Sequence, residues 1–296
     1  MLKLDWPVSA TSAYQDCADQ WQNYATRQKR TKDLKALTPT VLMRYSDYLK
    51  HEGDPAALGP SSTPRGSTDG DFLYNCYASG NGADSEAVEA ARGVTRGYCP
   101  YCGLRLRRRP KNKNHESDHH LPRSVFPEFS ILCVNLVTAC HDCNEHKGTV
   151  CLTPTGERRL LHPYFDECLE LQLLDCEVFL TEHRGVGIEF RLTRAARASA
   201  ASDVIEEHVE FLDLRDRLAD EVQDELVGRL QALATEENTL STVRRRLTDM
   251  GLSRTRTRPN DPVGLALCAA GVSIDLESLL EEARRRLPTL AETQTR

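Results

Sequence analysis

The sequence predicts an α+β protein in which a small metal-tied core sits between helical flanks, and three observations carry that prediction. Two Cys-x-x-Cys pairs, Cys99 with Cys102 and Cys140 with Cys143, bracket the middle of the chain. Apolar residues recur three and four apart toward both ends, as on one face of a helix. Ile188, Phe190 and Leu192 alternate with Glu189 and Arg191, as in a half-buried strand.

Taken in order, Tyr14, Cys17, Trp21 and Tyr24 mark a first helical face, and Val41, Leu42, Tyr45 and Leu49 a second, which Gly53 ends. Residues 53–70, GDPAALGPSSTPRGSTDG, are rich in Pro, Gly and Ser without apolar period and read as a linker or long loop. Past the cysteine region, CEVFLTEHRGVGIEFRLT reads as a β-hairpin around a Gly-containing turn. Asp203 with Glu206 suggests a helix start, and Leu214, Leu218, Val222, Leu226, Leu230 and Leu233 continue a long amphipathic helix. GLSRTRTRPNDP breaks it before a last pair of helices through Leu267 and Leu279. The expected divisions are 1–94, a helical region; 95–150, the metal-tied core; and 151–296, a hairpin and helical region. No internal repeat of solenoid length is present.

Composition narrows the function. A chain of 296 residues with 40% hydrophobic content can bury cores. The net charge of -6 argues against a coat that binds nucleic acid over its whole surface, so local patches have to be weighed. The amino-terminal stretch has no apolar run of signal-peptide type, and the longest apolar run, Val263 to Ile274, is too short to span a bilayer. A cytoplasmic protein without a membrane partner is expected, and its 11 cysteines read as metal ligands and buried thiols rather than disulfides.

Four thiolates in two short turns suit tetrahedral zinc, and Gly103 can take the positive φ that such a turn needs. A dithiol redox motif is the rival reading of CPYC, but it lacks a thioredoxin-like context and leaves the second pair unexplained. Cys17, Cys76, Cys133, Cys151, Cys168, Cys176 and Cys268 form no such pair and read as core thiols. Zinc bound by four thiolates has no open position and is structural, so a catalytic metal would be a second ion. Asp118 and Asn144 are both oxygen donors of the kind magnesium or manganese accepts. Asp118, His119 and His120 lie between the two halves of the cysteine site.

These residues carry a resemblance. The stretch DHHLPRSVFPEFSILCVNLVTACHDCNEHKG, together with the first cysteine pair, resembles the core of an HNH endonuclease of the bacterial subgroup with two zinc-binding Cys-x-x-Cys pairs. LLHPYFDE, residues 160–167, and the helix through 203–233 also resemble flanks of that group. The resemblance implies a ββα-metal core with one structural zinc, and a catalytic magnesium or manganese held by Asp118 and Asn144. It also implies His119 as the general base and Asn135 as the residue that steadies the loop carrying it. Asn144 stands where the family often has histidine. The partner implied is DNA, with restriction or anti-phage defence beside an ATPase as a setting; a non-catalytic zinc module that binds nucleic acid or protein is the alternative.

Regular strand alternation would put Asp118 and His120 on one face and His119 on the other, so the choice of His119 rests on the resemblance and on an irregular strand end before Pro122. His120 is otherwise a packing residue, and His115, His141, His146 and His162 are assigned no chemistry. Arg105, Arg107, Arg108, Arg109, Lys111 and Lys113 make six basic residues in nine positions. A solvated loop is the plain reading of such a run; beside a nuclease motif it is expected, with Lys147, to contact phosphates. RRR at 244–246 and RTRTR at 254–258 are explained equally well by a solvated helix face.

Overall fold

The computed structural model describes residues 1–5, 18–19, 21–23, 25–26, 31–78, 93–95, 97–106, 115–183, 185–235 and 239–285. They form two compact units, Met1–Glu167 and Cys168–Arg296.

In the first unit, helix α1 spans Thr31–Lys50. Its buried stripe is Leu34, Leu37, Val41, Tyr45 and Tyr48, while Leu42 and Leu49 are only half-buried. The expected face is therefore correct to within one residue of rotation. Trp21 is fully buried and donates from Nε1 to Thr38 Oγ1 at 2.9 Å; Tyr14, Cys17 and Tyr24, expected on the same face, lie outside the described residues. The helix ends at Lys50, and the turn after it closes at Gly53, whose φ of 70° suits glycine and whose hypothetical Cβ would stand 2.7 Å from His162 Cδ2.

The expected linker is instead a packed segment. It begins with a one-turn helix α2, Pro55–Leu58, capped by Asp54, whose carboxylate accepts from Ala56 N at 2.9 Å. Fully buried Glu128 organises the residues after it. Its carboxylate takes Arg44 Nε at 3.0 Å, Ser61 Oγ at 2.6 Å and Thr63 Oγ1 at 3.4 Å. The serine and threonine that suggest flexibility are hydrogen-bond donors to a buried charge. Helix α3, Thr68–Ala78, comes next.

Strand β1, His115–His119, pairs antiparallel with β2, Leu136–Cys140, with His115 opposite Cys140 and His119 opposite Leu136. Helix α4, His141–Lys147, starts directly after β2 and stops at Gly148. The loop between the strands carries 3-10 turns at Pro127–Phe129 and Cys133–Asn135.

Expected boundaries near 94 and 150 do not match these contacts. Tyr48 from α1 reaches Asn135 at 3.1 Å, and Tyr164 donates to the Leu136 carbonyl at 3.0 Å, so flanks on both sides belong to the core, and the division falls at 167.

The second unit holds the expected hairpin, β3 Leu174–Leu180 with β4 Val186–Leu192, Leu174 facing Leu192. Helices α5 Arg194–Ala198, α6 Ser202–Phe211, α7 Leu214–Thr235, α8 Leu240–Thr255, α9 Pro262–Val272 and α10 Leu276–Arg285 complete it. The long helix expected from Asp203 is broken in two at Asp213, whose φ is 50°, although the six periodic residues from Leu214 to Leu233 are all buried as expected. Several of the later arginines serve the fold. Arg244 donates to the carbonyls of Gly271 and Ser273, and Arg254 binds Asp261 and Glu225. Among the described residues no single helix is long and apolar enough to cross a membrane.

Candidate metal centre and active site

The hairpin and helix bring the two cysteine pairs together. Cys140 ends β2 and caps α4, its sulfur accepting from Cys143 N at 3.5 Å. The first pair sits in a tight turn in which Gly103 N donates to Cys99 O at 2.8 Å and Gly103 takes a φ of 81°, as expected. All four sulfurs lie within 4.8 Å of one another, and Cys102 Sγ stands 3.8 Å from Cys140 Sγ. A tetrahedral ion at about 2.3 Å from each sulfur has an S···S edge of about 3.8 Å. The four cysteines can therefore hold a metal ion such as zinc.

Around the cysteines, a buried polar chain reaches from the first cysteine turn to the loop between the strands. Tyr101, within the first pair, donates to Asp118 Oδ2 at 3.0 Å. Burial and the adjacent Asp118 carboxylate raise the Tyr101 pKa well above its ordinary value, so it keeps its proton. A hydroxyl that gives its one proton to Asp118 can only accept from His120 Nδ1, 3.2 Å away. The Lys147 ammonium, buried at the end of α4, sits 2.8 Å from Asp118 Oδ1 and 2.7 Å from the His119 carbonyl. Lys147 is thus a core cation, and the expected phosphate contact is corrected: its charge is already used at Asp118.

His119 looks the other way. Its Nε2 lies 2.8 Å from the Ser130 carbonyl, and its ring packs edge-on against Tyr77 at 4.4 Å between centroids. A carbonyl can only accept, so Nε2 carries the proton and Nδ1 keeps the lone pair. Burial, with the charges of Arg123 and Lys147 beside it, lowers the His119 pKa to about 3, although the Ser130 carbonyl favours the protonated ring.

The strand ends at His119, before Pro122 as expected, but its ladder is regular up to that residue, and alternation puts Asp118 and His120 on the Tyr101 side and His119 on the Tyr77 side. His119 is 7% exposed and His120 2%, the latter packed 4.1 Å from the His162 ring. His120 is a packing residue.

Asn135 is fully buried and joins four groups. Its Oδ1 accepts from Leu121 N at 2.8 Å and from Tyr48 at 3.1 Å, and its Nδ2 donates to the carbonyls of Leu121 and Phe129, both at 3.1 Å. The Tyr48 hydroxyl is in turn 2.8 Å from His162 Nε2, while His162 Nδ1 accepts from Tyr164 N at 3.2 Å. Burial, aided by Arg158 and Lys3, pushes the His162 pKa well below its usual value, so the chain is neutral from end to end.

Asn144 lies in the first turn of α4, half-buried, three residues before Lys147 and so on the same helix face. Asp118 and Asn144 suit a hard divalent cation by donor type, and each Asp118 oxygen keeps a second lone pair. A cation there would share the carboxylate with Lys147. Arg105 is exposed and bridges Tyr98 within the cysteine turn. Arg107, Arg108, Arg109, Lys111 and Lys113 lie outside the described residues.

Sequence reasoning misses Tyr48, Tyr101, Ser130 and His162. Only His162 carries a signal, inside the conspicuous LLHPYFDE stretch, because partners this far apart in the chain leave no spacing pattern.

Comparison with known proteins adds little. No protein-family model matches the chain, and no solved structure matches it. The chain is 33% identical over 69 residues to Protein ea31 of Escherichia phage lambda. That stretch is 23% of this chain and 21% of the phage protein, so the chain spans about a fifth of the length of that relative.

Proposed function

We propose that the chain is a metal-dependent endonuclease of the HNH type that hydrolyses phosphodiester bonds in DNA. The observation that carries this reading is the state of His119: neutral, fixed by the Ser130 carbonyl and holding its lone pair at Nδ1, on a strand that leads through the hairpin into a cysteine-clamped helix.

In this reading His119 Nδ1 takes the proton of the attacking water. Its depressed pKa makes it a weak acceptor in the free protein, and the negative charge of a bound phosphodiester supplies what the imidazolium needs. Asn135 holds the ends of the loop after His119, so the ring keeps its place while the proton moves. Cys140 and Cys143, holding zinc together with Cys99 and Cys102, would fix the first turn of α4 and with it Asn144. A magnesium or manganese ion held through Asp118 and Asn144 would neutralise charge on the scissile phosphate and the departing oxygen. Restriction or anti-phage defence, with a partner ATPase, is the setting proposed for this activity.

One observation favours the alternative of a non-catalytic zinc module: both Asp118 oxygens already have partners in Tyr101 and Lys147. Cleavage separates the two readings. The zinc-loaded chain with magnesium or manganese is expected to cut plasmid or linear DNA, and His119→Ala to lower the rate by on the order of hundreds-fold with its zinc content and melting temperature retained. A chain that cuts neither DNA nor RNA, alone or with a genomically adjacent ATPase, is a binding module.

A further inference from the structure

We propose that Arg123, with Arg65 beside it, forms a phosphodiester-binding platform next to His119 that receives the nucleic-acid strand. Cleavage of the bound strand rests on the nuclease reading, but the binding site stands on its own geometry.

Arg123 is delivered by the Leu121–Pro122 turn that ends β1. Its guanidinium lies over two rings, 4.3 Å from the centre of Tyr74 and 5.0 Å from that of Tyr77, and Nη1 donates to the Tyr74 carbonyl at 3.2 Å. Stacking and one hydrogen bond fix a group that has five N–H donors, and among the described residues that bond uses only one of them.

Two other shielded arginines of this unit are answered by carboxylates, Arg44 by Glu128 and Arg158 by Asp166. Arg123 has no carboxylate at ion-pair distance among the described residues. A half-buried guanidinium so held, with no counter-charge among the described residues, is suited to an incoming anion.

Two features make that anion a nucleic-acid strand rather than a small ion. Tyr74 carries a second guanidinium, Arg65, at 3.9 Å from its centre, and Arg65 meets Asp71 at 2.8 Å with both side chains more than two-fifths exposed. Two positive charges on one ring, only one of them met by an exposed carboxylate among the described residues, suit successive phosphates of a single strand. Tyr77, the second ring under Arg123, is also the ring that packs against His119, so a phosphate held by Arg123 is delivered to the imidazole and not elsewhere on the surface.

The test is binding, read by fluorescence anisotropy without added divalent metal, on labelled single-stranded DNA, duplex DNA and RNA of one sequence across a salt series. Arg123→Gln is expected to weaken binding by about tenfold or more and to reduce the slope of log K against log salt by about 0.7 to 0.9, the release of one phosphate's counterions. Arg123→Lys should restore the slope but only part of the affinity, because an ammonium keeps the charge without the fork. Arg65→Gln, at an exposed site, should lower the slope likewise and serves if Arg123→Gln does not fold. Of the labelled strands, the one held most tightly by the wild type identifies the substrate.

Unchanged affinity and slope in folded Arg123→Gln, or in Arg65→Gln where the first does not fold, overturn the platform even if the wild type cuts. Loss of slope in a chain that never cuts leaves the platform standing and removes the nuclease reading instead.

Discussion

Replacing Asn135 by alanine should destabilise the first unit by about 2 to 6 kcal/mol without removing its metal centre. The size depends on which partners have a second bond. Tyr48 keeps His162, and the Phe129 carbonyl keeps Leu132 N at 3.2 Å, so neither is orphaned. Leu121 loses the partner of its N–H and that of its carbonyl together, and Leu121 is fully buried. Two unsatisfied buried backbone groups at about 1 to 3 kcal/mol each give that range, with the lower end reached if water enters the vacated space. Urea unfolding monitored by tryptophan fluorescence, with Trp21 in the core, measures the loss, and zinc content measured on the same samples shows that the clamp persists. A variant within about 1 kcal/mol of wild type would refute the view that Asn135 holds the loop; zinc lost at the same time would mean that the loop and the clamp are one structure.

Metal analysis of the purified chain should find about one zinc per molecule, absent or sharply reduced in Cys140→Ser and unchanged in Cys176→Ser, which lies outside the cluster; a folded, zinc-free wild type would leave the four sulfurs to redox chemistry. Acid should destabilise the first unit well above the carboxylate range. His119 and His162 both have native pKa values below the unfolded value of about 6.5, so the unfolded chain takes up protons that the native state refuses. The stability they protect is fully present above pH of about 6.5 and is lost as the pH falls, by about 2 kcal/mol per histidine between pH 7 and 5. Equal urea midpoints at the two pH values would show that these rings are protonated or solvated in the native state.

What the sequence reveals and what it hides differ in the range of the contacts involved. The cysteine centre is legible because each Cys-x-x-Cys turn is local and only two turns have to meet. The hairpin of the second unit is legible because alternation at 186–192 is a local pattern that burial then obeys. Residues 53–70 mislead because their hydroxyls answer Glu128, far away in the chain, and composition alone does not show such a partner. Lys147 misleads for the same reason: a lysine near a basic run looks like surface charge until Asp118 is found beneath it. The break at Asp213 leaves the apolar period in phase, so no periodicity argument can see it.

The buried pair of Asp118 and Lys147 bears on how the protein assembles. A carboxylate sealed beside a hard-cation site usually ties folding to the supply of that cation, since the empty site would leave a bare charge. Here the chain brings its own counter-ion, 2.8 Å away, on the helix that Cys140 caps. With zinc at the four cysteines, the newly made protein would need one ion to reach its native state and not two. In the proposed nuclease reading, a shortage of magnesium or manganese would therefore idle the folded protein, whereas loss of zinc from the four cysteines would remove it.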